Sequence, residues 1–84
     1  MIDFNGRSYL ITGASSGIGR AIAIEISKFD AEIYIVGRKI EELEKTKSYC
    51  KNPNKVKSII IDLTDENAPT KIIEQIDDKI DGVV

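Results

Sequence analysis

The chain has 84 residues, 42 % of them hydrophobic and 31 % charged, and its 12 basic and 14 acidic residues leave a formal net charge of -2. That length makes one small domain or part of a larger one, and the near balance of charge argues against a general nucleic-acid binder. With no histidine and a single cysteine, Cys50, the chain cannot hold an intrachain disulfide, a Cys/His metal cluster, or a Ser-His-Asp or Cys-His catalytic set of its own.

The first residues, MIDFNGRSYLITG, lack the long apolar core and small-residue cleavage site of a signal peptide. No stretch approaches the roughly 18 apolar residues of a membrane span. The expectation is a cytoplasmic protein without a membrane partner.

Ser8 to Thr12, SYLIT, is an apolar, β-prone run ended by Gly13 and reads as a buried strand. From Ile18 the spacing turns helical: Ile18, Ile22, Ile26 and Phe29 fall within one arc of a 3.6-residue helix. Glu32 to Val36, EIYIV, is a second strand closed by Gly37. Residues 39 to about 50 carry Ile40, Leu43 and Cys50 on one side of a surface helix, with Glu41, Glu42 and Glu44 interleaved among basic residues on a solvated face. Asn52-Pro53-Asn54 is a turn, and Val56 to Ile61 is a third strand that ends at Asp62.

Thr64, Asp65 and Glu66 put a cap and negative charge where a third helix starts, and Pro69 is tolerated only in its first turn. Ile72, Ile73, Ile76 and Ile80 give that helix its buried face, and Asp81 to Val84 begins a fourth strand. The order β-α-β-α-β-α-(β), with near-continuous apolar strands, predicts an α/β fold: a parallel sheet covered by helices on both faces.

The glycines at 13, 17 and 19 stand where the first strand hands over to the first helix. The N–H groups of a helix start there point at whatever sits above the strand end, and a diphosphate suits them because it is anionic. Gly13 permits the tight turn, Gly17 the close approach of phosphate and Gly19 the close packing of helix on strand, while Ser15 and Ser16 offer hydroxyl donors. The alternative is a glycine-rich turn with no ligand. A P-loop is excluded, because no Gly-Lys-Ser/Thr follows and residue 20 is Arg.

A dinucleotide held there places its adenosine ribose at the end of the second strand. An acidic residue at that point would bind both ribose hydroxyls and repel a 2′-phosphate. The sequence has Gly37-Arg38-Lys39 instead, so Arg38 offers a planar cation to that phosphate and NADP(H) is favoured over NAD(H). The competing role for Arg38 is an ion pair with Glu41 or Glu42. Asp62 could accept from the adenine amino group, with Leu63 beside the ring, or it could simply cap the turn before the third helix. Cys50, Tyr9, Tyr34 and Tyr49 read as packing residues.

TGASSGIG, residues 12–19, resembles the cofactor-binding signature of the short-chain dehydrogenase/reductases, and GR at 37–38, DL at 62–63 and IDGVV at 80–84 fall where that family places its ribose, adenine and fourth-strand elements. The resemblance spans essentially the whole chain. It implies a Rossmann-type fold, a nicotinamide dinucleotide as partner, and hydride transfer between that cofactor and a small alcohol or carbonyl. Carried over by residue, Gly13, Ser15, Ser16, Gly17, Ile18 and Gly19 hold the diphosphate region, Arg38 meets the 2′-phosphate, and Asp62 and Leu63 flank the adenine.

The family's Asn-Asn-Ala-Gly stretch, catalytic Ser and Tyr-x-x-x-Lys pair have no counterpart here. Residues 1–84 are therefore expected to be the N-terminal portion of a single NAD(P)-binding domain, without catalytic residues, whose parent assembles as a dimer or tetramer. The alternative is a non-catalytic nucleotide-binding or strand-pairing interaction module.

Overall fold

The computed structural model describes residues 5–15, 17–76 and 79–84. Four strands, β1 (Ser8–Thr12), β2 (Glu32–Gly37), β3 (Val56–Ile60) and β4 (Gly82–Val83), alternate with three helices, α1 (Gly17–Ile26), α2 (Ile40–Tyr49) and α3 (Ala68–Gln75). A 3-10 turn at Pro53–Lys55 precedes β3. All pairings are parallel and the strand order is β3-β2-β1-β4.

The central strands are β-branched and apolar because both of their faces are covered. Along β2, Ile33 and Ile35 pack on one side with Ile11, Ala23, Ile26, Leu43 and Cys50, under α1 and α2. Tyr34 and Val36 point the other way and pack with Ile59, Ile61, Ala68 and Ile72, under α3. Period-two alternation thus divides one apolar run between two cores. This is a parallel four-stranded sheet with three helices, as expected of a Rossmann-type α/β fold.

The strand order reverses at β1, with β2 on one side and β4 on the other. Because the strands are parallel, the carboxyl ends of β1, β2 and β3 open on the same edge, where open α/β sheets hold their ligands. Beyond the two paired residues of β4, Asp81 N–H donates to Ser8 O (2.7 Å), Val84 N–H to Leu10 O (2.9 Å), and Thr12 N–H to Val84 O (3.0 Å).

The helices depart from the sequence reading at several points. Ile26 is buried and Ile22 partly so, but Ile18 is 80 % exposed and Phe29 lies beyond the helix on the surface. The arc they share lines an open apolar groove of about 620 Å³, together with Tyr9, Val83 and Val84, while Ile26 and Ile22 also pack on the first core. Helix α3 ends at Gln75; within it Ile72 is buried and the adjacent Ile73 is on the outer face (70 % exposed), while Ile76 and Ile80 pack against the second core from outside the helix. Its N-cap is Asn67, which makes no side-chain cap bond; Pro69 does fall in the first turn. Tyr9 and Tyr34 are buried but Tyr49 is exposed, its ring 5.9 Å from the Arg20 guanidinium. No helix of the described residues is long and apolar enough to cross a membrane.

Candidate functional site

The turn from β1 into α1 is shaped by backbone conformations that side chains resist. Gly13 (φ 65°) and Gly17 (φ 63°) both occupy the left-handed region, where a Cβ brings strain. A Cβ at either would meet no atom within 4 Å, so glycine is required there by conformation while the space above the backbone stays open. Gly19 differs. A Cβ at that position would lie 2.3 Å from Gly13 O, so helix and turn approach as closely as they do only because the side chain is missing.

Beside this turn the strand ends form a cleft of about 360 Å³, lined by Gly13 and Ser15 from the turn, Gly37 and Arg38 from the end of β2, and Asp62, Leu63 and Thr64 after β3. Arg38 is exposed at its rim. Asp62 Oδ1 accepts from both Thr64 Oγ1 (2.7 Å) and Thr64 N–H (2.9 Å). Those two donors hold its carboxyl below the usual carboxylate range, and the Arg38 charge acts in the same direction. Asp62 therefore does tie its own turn, while Oδ2 has no hydrogen-bond partner among the described residues.

A second depression, also about 360 Å³, is lined by Ser15, Arg38, Lys39 and Glu42. Glu42 is engaged by Arg20, whose Nη2 lies 2.9 Å from Glu42 Oε2. That hydrogen bond, with the nearby Lys45 charge, holds the Glu42 carboxyl low. Of the two anions expected to compete for Arg38, Glu42 is committed to Arg20, and Glu41 forms no ion pair with Arg38 among the described residues.

Arg20 does more than pair with Glu42. Its Nε donates to Thr46 Oγ1 (2.8 Å) and its Nη2 to Ser15 O, and Thr46 Oγ1 in turn donates to Ala14 O (2.6 Å). Thr46 is fully buried. Neither residue stood out in the sequence, although a clue was present: Thr46 falls at the three-to-four-residue spacing of Leu43 and Cys50, and a hydroxyl on a buried helix face has to find partners.

The structure thus brings Gly13, Ser15, Arg38, Asp62 and Leu63 to one cleft, with Gly17 and Gly19 in the adjoining turn. Ile18 does not join them; it lines the apolar groove on the other side of the turn. Ser16 lies outside the described residues. Gly37 has an additional role, since a Cβ there would sit 3.1 Å from Leu43 Cδ2, so its small size also seats α2 against the sheet. Cys50 is buried and its thiol pKa is pushed up by that burial, as for an inert packing residue. Among the described residues no group of three His, Cys, Asp or Glu could hold a metal ion.

Residues 7–84 match the family model described as short chain dehydrogenase. Over 79 residues the chain is 42 % identical to a fatty acyl-CoA reductase of Acinetobacter baylyi, an alignment covering 93 % of this chain and 27 % of that protein. A solved short chain dehydrogenase from Bacillus anthracis superposes with a TM-score of 0.82 at 33 % identity, covering 92 % of this chain and 34 % of that one. L-sorbose reductase from Gluconobacter frateurii, solved in complex with NADPH and L-sorbose, superposes with a TM-score of 0.75 at 30 % identity, covering 86 % and 28 %. The chain spans between 27 % and 34 % of the length of these relatives.

Proposed function

The chain belongs to the short-chain dehydrogenases, and from that premise we propose that it is the cofactor-binding N-terminal portion of an NADP(H)-dependent oxidoreductase acting on a small alcohol or carbonyl. The observation that carries the reading is the cleft that gathers Gly13, Ser15, Arg38, Asp62 and Leu63 at one edge of the sheet. Its lining matches the cofactor part by part. The open backbone at Gly13 and Gly17 gives a diphosphate room to approach the N–H groups of the turn and the start of α1. Arg38, which forms no ion pair among the described residues, supplies a bidentate cation for a 2′-phosphate. Asp62 keeps one oxygen on Thr64 and presents the other to the adenine amino group, with Leu63 against the ring.

When bound, the nicotinamide supplies the hydride acceptor or donor. The residues of this chain bind and orient; the proton-transfer and carbonyl-polarising groups of such an enzyme are not among them. Assembly of the parent as a dimer or tetramer and a cytoplasmic location belong to the same reading, and both rest on the family alone. The preference for the phosphorylated cofactor rests on Gly37-Arg38, and is consistent with NADPH in the L-sorbose reductase complex.

Calorimetric titration of the 84-residue chain with NADPH and with NADH tests the proposal. Saturable binding of both, tighter for NADPH, is the expected result. Absence of saturable binding of either overturns the dinucleotide reading, and tighter NADH overturns the role of Arg38.

A further inference from the structure

Two residues of the turn, Ala14 and Ser15, direct their carbonyls at α2 and α1 side chains. Ala14 O accepts from Thr46 Oγ1 at 2.6 Å, and Ser15 O accepts from Arg20 Nη2. In a trans peptide the C=O and the following N–H point in opposite directions, and the chain has no cis peptide bond among its described residues. Holding Ala14 O toward Thr46 therefore turns the N–H of Ser15 away from α2. That N–H has no acceptor among the described residues, and Ser15 lines both depressions at the sheet edge.

Thr46 cannot set this direction alone. A hydroxyl has one proton, and Thr46 Oγ1 lies near two carbonyls, Ala14 O at 2.6 Å and Glu42 O at 3.2 Å. The second is the ordinary back-bond of a helical threonine to the carbonyl four residues earlier. Arg20 Nε donates to the same oxygen at 2.8 Å and so occupies a lone pair of the hydroxyl. The contact to Ala14 O is the shorter of the two by 0.6 Å and takes the hydroxyl proton, while Arg20 Nη2 also lies 3.2 Å from Glu42 O. The planar guanidinium makes these contacts from one rigid group, Nε toward Thr46 and Nη2 toward Ser15 O and Glu42 Oε2.

We propose that Arg20 and Thr46 are positioning residues for the cofactor diphosphate: Thr46 holds the Ala14 carbonyl against α2, Arg20 of α1 holds the Ser15 carbonyl, and together they aim the Ser15 N–H at the cleft. The inference rests on the dinucleotide reading above. It assigns a binding consequence to two side chains that touch no part of the cofactor. Because the diphosphate is common to both nicotinamide dinucleotides, the consequence is shared by NADPH and NADH, unlike that of Arg38.

The test compares Thr46→Val, which keeps the shape and removes the donor, with Thr46→Ser, which keeps the donor. NADPH, NADH and adenosine 2′-monophosphate are titrated against each, and the ¹⁵N–¹H shift of Ser15 is read without ligand. Thr46→Val is expected to weaken both dinucleotides by the same factor, about tenfold for one backbone donor out of place. It should leave adenosine 2′-monophosphate binding unchanged and move the Ser15 amide shift, and Thr46→Ser should restore both dinucleotide affinities and the amide shift.

Unchanged dinucleotide affinity in Thr46→Val overturns the proposal. So does an equal loss for adenosine 2′-monophosphate, or a serine variant as weak as the valine one. Should Thr46→Val fail to fold, Arg20→Leu carries the same comparison, because leucine keeps an apolar stem and removes every donor to Thr46 and Ser15; affinities unchanged in that variant overturn the proposal equally. If the unaltered chain binds neither dinucleotide, the dinucleotide reading fails and this inference with it. If it binds both and the variants do not discriminate, only this inference fails.

Discussion

Arg38 and Asp62 face one cleft with opposite charge, and each makes a different demand on the ligand. Arg38 is exposed, so the proposed contact with a 2′-phosphate would gain little from a low dielectric and most from bidentate geometry. Arg38→Ala is expected to weaken NADPH by about 1.5 kcal/mol, roughly tenfold, and to leave NADH nearly unchanged. Parallel titrations check it, and equal losses for the two cofactors would mean that Arg38 does not read the phosphate. Asp62 carries a separate expectation in acid. Its carboxyl is held below the ordinary value of 3.8 by Thr64, so the charged form is favoured by folding. The stability it contributes is fully present above that ordinary value and is lost as the pH falls through the lower folded value. Asp62→Asn should therefore unfold at lower urea than the unaltered chain at neutral pH, with the two midpoints converging in acid. A gap that stays constant across the range would show that the Thr64 bonds do not depend on the charge.

At the scale of elements, the passage from β1 into α1 was legible in the sequence because each glycine answers a local requirement. Two adopt φ values that other residues resist, and the third removes a collision. Gly19→Ala isolates the third. Its Cβ would press on Gly13 O at 2.3 Å, a backbone atom that cannot rotate away, so helix and turn must separate. Loss of cofactor binding together with a lowered unfolding midpoint is expected, typically by about 1–3 kcal/mol for overpacking at a rigid site. Retention of both would mean that the turn yields easily. What could not be read was the surroundings of each helix face. Spacing places Ile18, Ile22, Ile26 and Phe29 in one arc, but only the fold shows that part of this arc meets an open groove. Likewise Ile73 shares the apolar stretch of α3, yet only the fold shows that Ile72 takes the buried face and leaves Ile73 outside. Thr46 is illegible in the sequence for the converse reason: its partners, Arg20 and Ala14, lie 26 and 32 residues away in the chain, and no local pattern announces them.

Across the whole molecule the sheet is held unevenly. Strand β2 has a paired neighbour on each side, and its residues 33–36 are buried between the two cores. Strand β4 pairs with β1 alone, at Tyr9–Gly82 and Leu10–Val83, and Val83 and Val84 are exposed. Amide exchange should follow this gradient, because well-packed central strands open only with global unfolding whereas edge strands open locally. The amides of Ile35 and Val36 are expected to exchange about a hundredfold or more slowly than that of Val84, which bonds to Leu10 O at the sheet edge. Adding NADPH at about a hundred times its dissociation constant should stabilise the native state by about 2.7 kcal/mol and slow the β2 amides by roughly another hundredfold. The site draws on β1, β2 and the end of β3 together, so it cannot survive the opening of β2, and that is why the slowing should appear there. Exchange of Ile35 and Val36 that is as fast as Val84 in the free chain would show that the sheet does not open as a central unit with a looser edge. Slow β2 exchange that NADPH leaves untouched would separate the fold from the function, and would show that the intact sheet edge does not take the dinucleotide.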